Sequence, residues 1–144
     1  MNNAPSDFET MQNDIARILR ETAVLSDLTI IPEQKQDLLN EIDIALGQIG
    51  MAVIVQTLNM TVKHPELPGP HFDALGLSVV VNENVLINRN TTDRTALRVA
   101  HEISKALHQK RIAGAPGPIL CTGIFFQPNP SILIYSVDFI MGEQ

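Results

Sequence analysis

The strongest candidate for chemistry in this sequence is a segment that begins with His101 and Glu102. Zinc hydrolases carry two histidines four residues apart on one helix face, with a glutamate as general base. Here the position four residues after His101 is Lys105, whose positive charge opposes a metal ion. His108 lies seven residues away, which corresponds to about 10 Å along a helix. The spacing favours an exposed helix face, and it leaves a small metal-dependent or acid–base hydrolase using His101, Glu102 and His108 as an alternative function.

Two other parts of the sequence carry residue types that act in catalysis in other proteins. His64 and His71 flank a proline-rich loop that also carries Glu66 and Asp73, and histidine with carboxylate is the pairing that acid–base chemistry requires. No nucleophile lies near them in the sequence, so surface positions are the simpler interpretation. The single cysteine, Cys121, lies in an apolar run without a neighbouring base, which predicts a small buried residue. We therefore predict no catalytic residues, no bound metal and no cofactor.

A strand is predicted at the centre of the chain, immediately before the histidine segment. Apolar residues alternate with polar ones from Leu77 to Ile87, and a period of two is typical of a half-buried strand. Glu83 is the one charged residue on the apolar side of this pattern. The opposite, exposed side is predicted to carry asparagines: Asn82, Asn84 and Asn88.

The period then changes to that of an amphipathic helix. Apolar residues recur at spacings of three and four, which predicts one buried stripe. Its members are Leu97, Ala100, Ile103 and Leu107. Short oxygen-bearing side chains precede the stripe and are predicted to cap the first turn: Thr91, Thr92 and Asp93. This pattern predicts a strand that turns through an Asn/Arg corner into a helix lying back on the sheet.

The rest of the chain completes one domain, residues 1–144. Helices are predicted over 7–22 and 33–49, and strands over 28–31, 51–63, 119–127 and 131–141. The last two strands are separated by a Pro-Asn-Pro turn and should form an antiparallel hairpin. The order predicts an α+β fold, with a mostly antiparallel sheet and helices packed on one face.

Composition narrows the classes of function. The 144 residues carry a formal net charge of −6, which disfavours specific nucleic-acid binding and binding to anionic membranes. The longest apolar runs are too short to span a bilayer, and the N-terminal residues do not predict a signal peptide. A single cysteine fits a reducing compartment. We expect a soluble protein that is intracellular where it is made.

The layout as a whole resembles a known family. Residues 79–89 read VVVNENVLINR and lead into a capped helix that ends Ala106-Leu107-His108. A glycine- and proline-containing loop and a closing strand with the sequence YSVDF, residues 135–139, follow. Over residues 26–141 this arrangement is similar to the small tail-terminator or tail-completion (minor tail) proteins of tailed bacteriophages and prophages.

The resemblance implies a structural protein of the virion and not an enzyme. Members close into a ring, typically of six copies, that ends the tail tube and joins it to the head. The implied partners are other copies of the chain, the tail-tube protein and a head-completion or connector protein, with DNA passing through the ring without specific binding. The implied location is the phage tail, and the host cytoplasm during assembly. A cytoplasmic adaptor domain is a second alternative.

Self-association is predicted through the Asn/Arg corner and the proline-rich loop. Neither region is needed for a monomer's core, and arginine and aromatic residues are the types that anchor interfaces. The residues predicted to take part are His71, Phe72, Asn84, Asn88 and Arg89.

Overall fold

One five-stranded sheet organises the protein, and the computed structural model describes residues 7–62, 65–66, 72–91 and 94–142. In chain order the strands are β1 (Thr29–Pro32), β2 (Met51–Thr61), β3 (Ala74–Glu83), β4 (Ile119–Gln127) and β5 (Leu133–Gly142). The helices are α1 (Asp7–Glu21), α2 (Leu38–Gln48), α3 (Val85–Thr91) and α4 (Ala96–Leu107), with a short 3-10 turn at Ala23–Leu25.

The strands lie in the order β1-β2-β3-β5-β4. β1 runs parallel to β2, and the other neighbouring pairs are antiparallel. The prediction of an α+β fold with a mostly antiparallel sheet is confirmed, and so is the closing hairpin of β4 and β5. The parallel pair arises because α2 returns the chain to the end of the sheet at which β1 began.

α1 and α4 share one face of the sheet and form the main core with it. From α1 the core takes Met11, Ile15 and Leu19, the apolar stripe that the sequence predicts between residues 7 and 22. β2, β3 and β5 contribute their odd-numbered residues, because alternate side chains point to the same face. These are Met51, Val53, Val55, Leu75, Leu77, Val79, Val81, Val137, Phe139 and Met141.

α2 covers part of the opposite face. Its buried residue, Ala45, lies outside the main core, as do the buried even-numbered residues Ala52 and Ile54 of β2. Against the sheet, α2 packs chiefly on β1 and β2. The helix begins at Leu38 instead of the predicted residue 33. The intervening residues continue alongside β2, where the N–H of Glu33 donates to Val55 O at 2.8 Å.

The predicted central strand ends four residues early. β3 stops at Glu83 and α3 follows, so the prediction that the strand continues to Ile87 is wrong. The cause is Asn84, whose Oδ1 accepts from the N–H of Ile87 at 3.4 Å. Its carbonyl accepts from the N–H of Asn88 at 2.9 Å. An asparagine that caps these N–H groups starts a helical turn where the apolar alternation alone predicts a strand.

One residue of α4, Leu97, was assigned to the wrong side of the helix. Ala100, Ile103 and Leu107 are buried as predicted, and Ala96 and Val99 complete the stripe. The prediction that Leu97 lies in the core is wrong, because half of its surface (50%) is exposed. A helix advances by 100° per residue, so Leu97 lies a full step away from the buried Ala96.

The cap of α4 is Thr95, whose side chain accepts from the N–H of Arg98 at 3.2 Å. Of the residues predicted to form the cap, Thr91 is the last residue of α3, and Thr92 and Asp93 lie outside the described residues. In the described part of the chain, no helix combines the length and the apolar composition that crossing a membrane requires.

Candidate assembly surfaces

A buried carboxylate organises the corner between β3 and α4. Glu83 has no exposed surface. Its Oε1 accepts from the N–H of Ala96 at 2.9 Å, and its Oε2 accepts from Nδ2 of Asn88 at 2.7 Å. Arg89 adds a longer contact, 3.4 Å from Nε to Oε2. The carboxylate therefore caps the positive N-terminal end of α4 and fixes α3 against it.

Gly50 closes the corner from the other side. It has φ +88, a conformation that glycine adopts without strain, and it follows α2. Its carbonyl accepts from the N–H of Asn84 at 2.8 Å, and a Cβ at this position would overlap the backbone of Asn88. The ends of α2, β3 and α3 are thus held together by backbone contacts, which gives α3 a defined position at this end of the sheet.

Two side chains of α3 project from this corner. Leu86 exposes 80% of its surface. Arg89, three residues later and on the same side of the helix, is half exposed. An exposed leucine beside an arginine whose position is set by a buried partner has the features of an interface anchor. We call Asn84, Leu86 and Arg89 the α3 corner.

The structure separates the residues of the Asn/Arg corner that were predicted to mediate self-association. Asn84 is half buried and Arg89 is exposed, as a surface role requires. Asn88, in contrast, is buried within the Glu83 network, and Asn82 is buried in the sheet. The prediction that Asn82 and Asn88 form an exposed face is therefore wrong.

Of the two loop residues predicted to take part in self-association, Phe72 lies among the described residues. Phe72 is half buried and packs edge to face on Phe8, with ring centroids 5.2 Å apart. This contact directs the ring of Phe72 toward α1. His71, the other loop residue predicted to take part in self-association, lies outside the described residues, as does His64.

The hairpin of β4 and β5 forms a second exposed surface, which was not predicted from the sequence. Phe125 and Phe126 expose 48% and 51% of their surface. The ring of Phe126 packs on Tyr135 at 5.4 Å, and Phe125 folds back over Gly123, where a Cβ would come within 2.8 Å of the ring. Leu97 of α4 lines a shallow groove with Ile124, on the helix-bearing face that Phe126 also occupies, whereas Phe125 points to the opposite face of the same strand edge. We call Leu97, Ile124, Phe125 and Phe126, on the two sides of this edge, the hairpin surface.

β4 and the turn that follows it carry no charged residue. Residues 112–137 contain no Asp, Glu, Lys, Arg or His. Edge strands of monomeric proteins usually carry charges that discourage pairing with other chains. An uncharged edge with two half-exposed phenylalanines is instead typical of a surface that is covered in an assembly.

Other parts of the sheet edge are blocked by the protein itself. The first half of β4 is covered by residues 108–110, because the N–H of Ile119 donates to Lys110 O at 2.8 Å and Ile119 O accepts from Gln109. At the other edge, β1 is four residues long and ends in Pro32, and Arg20 donates to Ile30 O. Among the described residues two stretches of the edge stay open: the second half of β4, next to the exposed phenylalanines, and residues 56–61 of β2, which extend beyond β1.

Strand register places the two surfaces at one end of the sheet. Glu83, the last residue of β3, pairs with Leu133 of β5, and Gln127, the last residue of β4, pairs with the adjacent Ile134. The two strand ends are thus two strand spacings apart, about 10 Å. α3 leaves toward β2 and Gly50, while the hairpin lies on the far side of β5. The α3 corner and the hairpin surface therefore occupy opposite flanks of the same end.

An ion pair links the segment before α4 to the segment after α1. Arg94 precedes α4, and its Nη2 donates to Oδ2 of Asp27 at 2.7 Å, while Nη1 donates to Val24 O. The hydrogen bond from Arg94 lowers the pKa of Asp27 below its usual range, and the guanidinium charge acts in the same direction against partial burial. The pair ties the segment after α1 to the link between α3 and α4.

The residues considered for hydrolysis lie apart from one another. His101 faces the groove of Leu97 and Ile124, whereas His108 lines a different groove with Ser104, Lys105 and Cys121. Glu102 is in neither groove, and its carboxylate contacts Lys105 Nζ at 3.3 Å. Among the described residues, no three His, Cys, Asp or Glu side chains are grouped so that they could hold a metal ion. The alternative hydrolase residues His101, Glu102 and His108 are not brought together.

Cys121 is partly buried and packs against the core, where the sequence predicts a fully buried residue. Its backbone N–H donates to Nδ1 of His108 at 3.0 Å, so the structure gives the cysteine a histidine neighbour that the sequence spacing does not indicate. Because Nδ1 accepts this bond, the neutral ring carries its proton on Nε2. This contact fixes His108 against β4 and helps residues 108–110 cover the strand edge.

One signal in the sequence could have identified the hairpin surface. The absence of charge over residues 112–137 is a property of the sequence itself, but alternation alone does not show which apolar residues of an edge strand remain uncovered. The exposure of Leu86 was harder to predict, because it depends on the helical turn that begins at Asn84. A scan against protein-family models and a search of curated proteins both give no match for this chain.

Proposed function

We propose that this chain is a structural subunit that closes into a ring with copies of itself. The observation that carries the proposal is the placement of two unlike surfaces, the α3 corner and the hairpin surface, on opposite flanks of one sheet end. A closed ring requires each subunit to offer two different patches, one that receives a neighbour and one that inserts into the next. A single self-complementary patch would produce a two-fold dimer instead.

The chemistry of the two surfaces supports contact between them. The hairpin surface is mainly apolar, with two phenylalanines, and Arg98 and His101 of α4 border its groove. The α3 corner offers Leu86 for apolar contact and the half-exposed guanidinium of Arg89, which can stack on an aromatic ring. Two kinds of contact are favourable across a desolvated interface: a leucine packed on a phenylalanine, and an arginine stacked on an aromatic ring. We therefore propose that the hairpin of one subunit docks on the α3 corner of the next.

The assignment to a phage tail rests on the resemblance of residues 26–141 to tail-terminator and tail-completion proteins. The proposed ring, of about six copies, ends the tail tube and joins it to the head through a connector or head-completion protein. The net charge of −6 supports this role, because an acidic ring does not bind the DNA that must pass through it. The proposed location is the phage tail, reached from the host cytoplasm during assembly.

The test is a tube-termination assay with the partner that the proposal requires, a tail-tube protein from the same phage genome. Purified tube protein is polymerised with and without this protein and observed by negative-stain electron microscopy. The proposal predicts shorter tubes that carry a ring at one end. Tubes of unchanged length without end density would contradict the assignment to tail termination.

A further inference from the structure

We infer that one water molecule is an integral part of the core, bound between Gln12 of α1 and Thr57 of β2. A small cavity lies where the first half of α1 crosses the sheet. Its walls are mainly apolar side chains from α1, β3 and β5: Phe8, Met11, Ile15, Leu75, Leu77 and Met141. Gln12 and Thr57 are the side chains in this wall that can form hydrogen bonds. This inference is independent of the proposed function.

Gln12 is held in one orientation by its neighbours. Only 5% of the residue is exposed. Its Nε2 donates to Oε1 of Glu33 at 2.8 Å and to Oγ1 of Thr57 at 2.9 Å. The same Glu33 oxygen accepts from the backbone N–H of Thr57 at 3.1 Å. Rotating the amide by 180° would turn its oxygen toward the carboxylate, so the arrangement with Nε2 facing Glu33 is the only one that forms these bonds.

This orientation leaves the amide oxygen of Gln12 without a hydrogen-bond donor among the described residues. Oε1 is buried and accepts no hydrogen bond from any described residue. A buried acceptor that is left unpaired costs about 1–3 kcal/mol, and buried polar atoms in native proteins are almost always satisfied by protein or by water. A donor inside the cavity would remove this cost.

The cavity has the size and the polar partners for one water. It offers about 10 Å³ to a water-sized sphere, which is close to the space that a single water needs. Thr57 accepts from Gln12 with its oxygen and keeps its own hydroxyl proton for another acceptor. A water placed there donates to Gln12 Oε1 and accepts from the Thr57 hydroxyl. Two such bonds meet the usual requirement for a buried water.

The position of the water suggests what it does for the fold. β2 has a register shift between Thr57 and Asn59, which interrupts its pairing with β3. Three elements meet at this irregularity through hydrogen bonds. They are α1 through Gln12, the segment that follows β1 through Glu33, and β2 through Thr57. The water completes the hydrogen bonds of this junction, and the Phe8–Phe72 pair lies at its edge.

The test detects long-lived water by nuclear Overhauser effects between water and protein protons. The wild-type protein should show a water cross-peak of the sign typical of a bound molecule at the amide or side-chain protons of Thr57 or Leu77. Gln12→Leu and Thr57→Val should each lose this cross-peak. Gln48→Leu, the same substitution at an exposed glutamine of α2, should retain it.

The measurement on the wild-type protein is decisive even if a variant fails to fold. The absence of a water cross-peak in the wild type would overturn the inference. A cross-peak that persists in both Gln12→Leu and Thr57→Val would overturn it as well.

Discussion

Asn88 donates a hydrogen bond of 2.7 Å to the carboxylate of Glu83, and both side chains are buried. This contact joins α3 to the end of β3. It also explains why an acidic residue occurs on the apolar side of the central strand. Glu83 needs partners inside the protein, and it obtains them from Asn88, the N-terminus of α4 and Arg89. The corner is therefore a structural junction on which an exposed surface is built.

Removing the amide of Asn88 should destabilise the protein. In Asn88→Ala, Oε2 of Glu83 loses its shortest hydrogen bond and stays buried. The expected loss is about 1–3 kcal/mol of unfolding free energy, measured by urea denaturation. Asn40→Ala, at an exposed position of α2, is the control and should change stability by less than about 0.5 kcal/mol. Equal stability of the two variants would mean that the Asn88–Glu83 contact is not formed.

Core substitutions in α4 should follow its observed face. Ile103→Ala and Leu107→Ala remove buried side chains and should each cost about 2–5 kcal/mol. Leu97→Ala should cost less than about 1 kcal/mol, because half of Leu97 is exposed. Urea midpoints of the three variants decide this, and a cost at Leu97 as large as at Leu107 would show that the helix is rotated from the described position.

Reversing the charge of Arg89 should affect the fold as well as assembly. Arg89→Glu places a second carboxylate next to the buried Glu83 and removes its ion-pair partner. The expected loss is about 1–3 kcal/mol. Arg98→Glu, the same change at an exposed position of α4, should leave the melting temperature nearly unchanged. If the two variants melt together, Arg89 does not stabilise Glu83.

The pair of Asp27 and Arg94 should make stability depend on pH at the acidic end. Because Arg94 lowers the pKa of Asp27 in the folded protein, the stabilisation is complete above about pH 4 and is lost as pH falls through the lowered pKa. Asp27 is mostly exposed, so the contribution is below about 1 kcal/mol. Unfolding free energies of the wild type and Asp27→Asn should differ at pH 6 and converge toward pH 2. A constant difference would contradict this.

Much of the fold follows from local patterns, and the exceptions have identifiable physical causes. α1, β4 and the hairpin have clear periods and turn residues, and they occur where the sequence predicts. The strand that should have reached Ile87 ends at Glu83, because the capping of α3 by Asn84 outweighs an alternating pattern. The exposure of Asn88 was mispredicted for the same reason, since a helical turn directs its side chain at Glu83.

The candidate surfaces were less predictable than the elements that carry them. Arg89 was identified from the sequence, and it is exposed as expected. Phe125 and Phe126 were assigned to a strand without a prediction that they remain uncovered, because coverage depends on where α4 lies above β4. Contacts between distant segments, such as that of His108 with Cys121, cannot be derived from spacing alone.

The mass of the protein in solution tests the central proposal most directly. Light scattering across a concentration series should show a mass six times that of the 15.8 kDa chain, either at every concentration or only at high concentration. Leu86→Ser at the α3 corner and Phe126→Ser at the hairpin surface should each give monomers with little change in melting temperature. Leu39→Ser, an equally exposed leucine at the start of α2, should still form hexamers. A stable dimer, a monomer at every concentration, or hexamers unaffected by both substitutions would contradict the proposed ring.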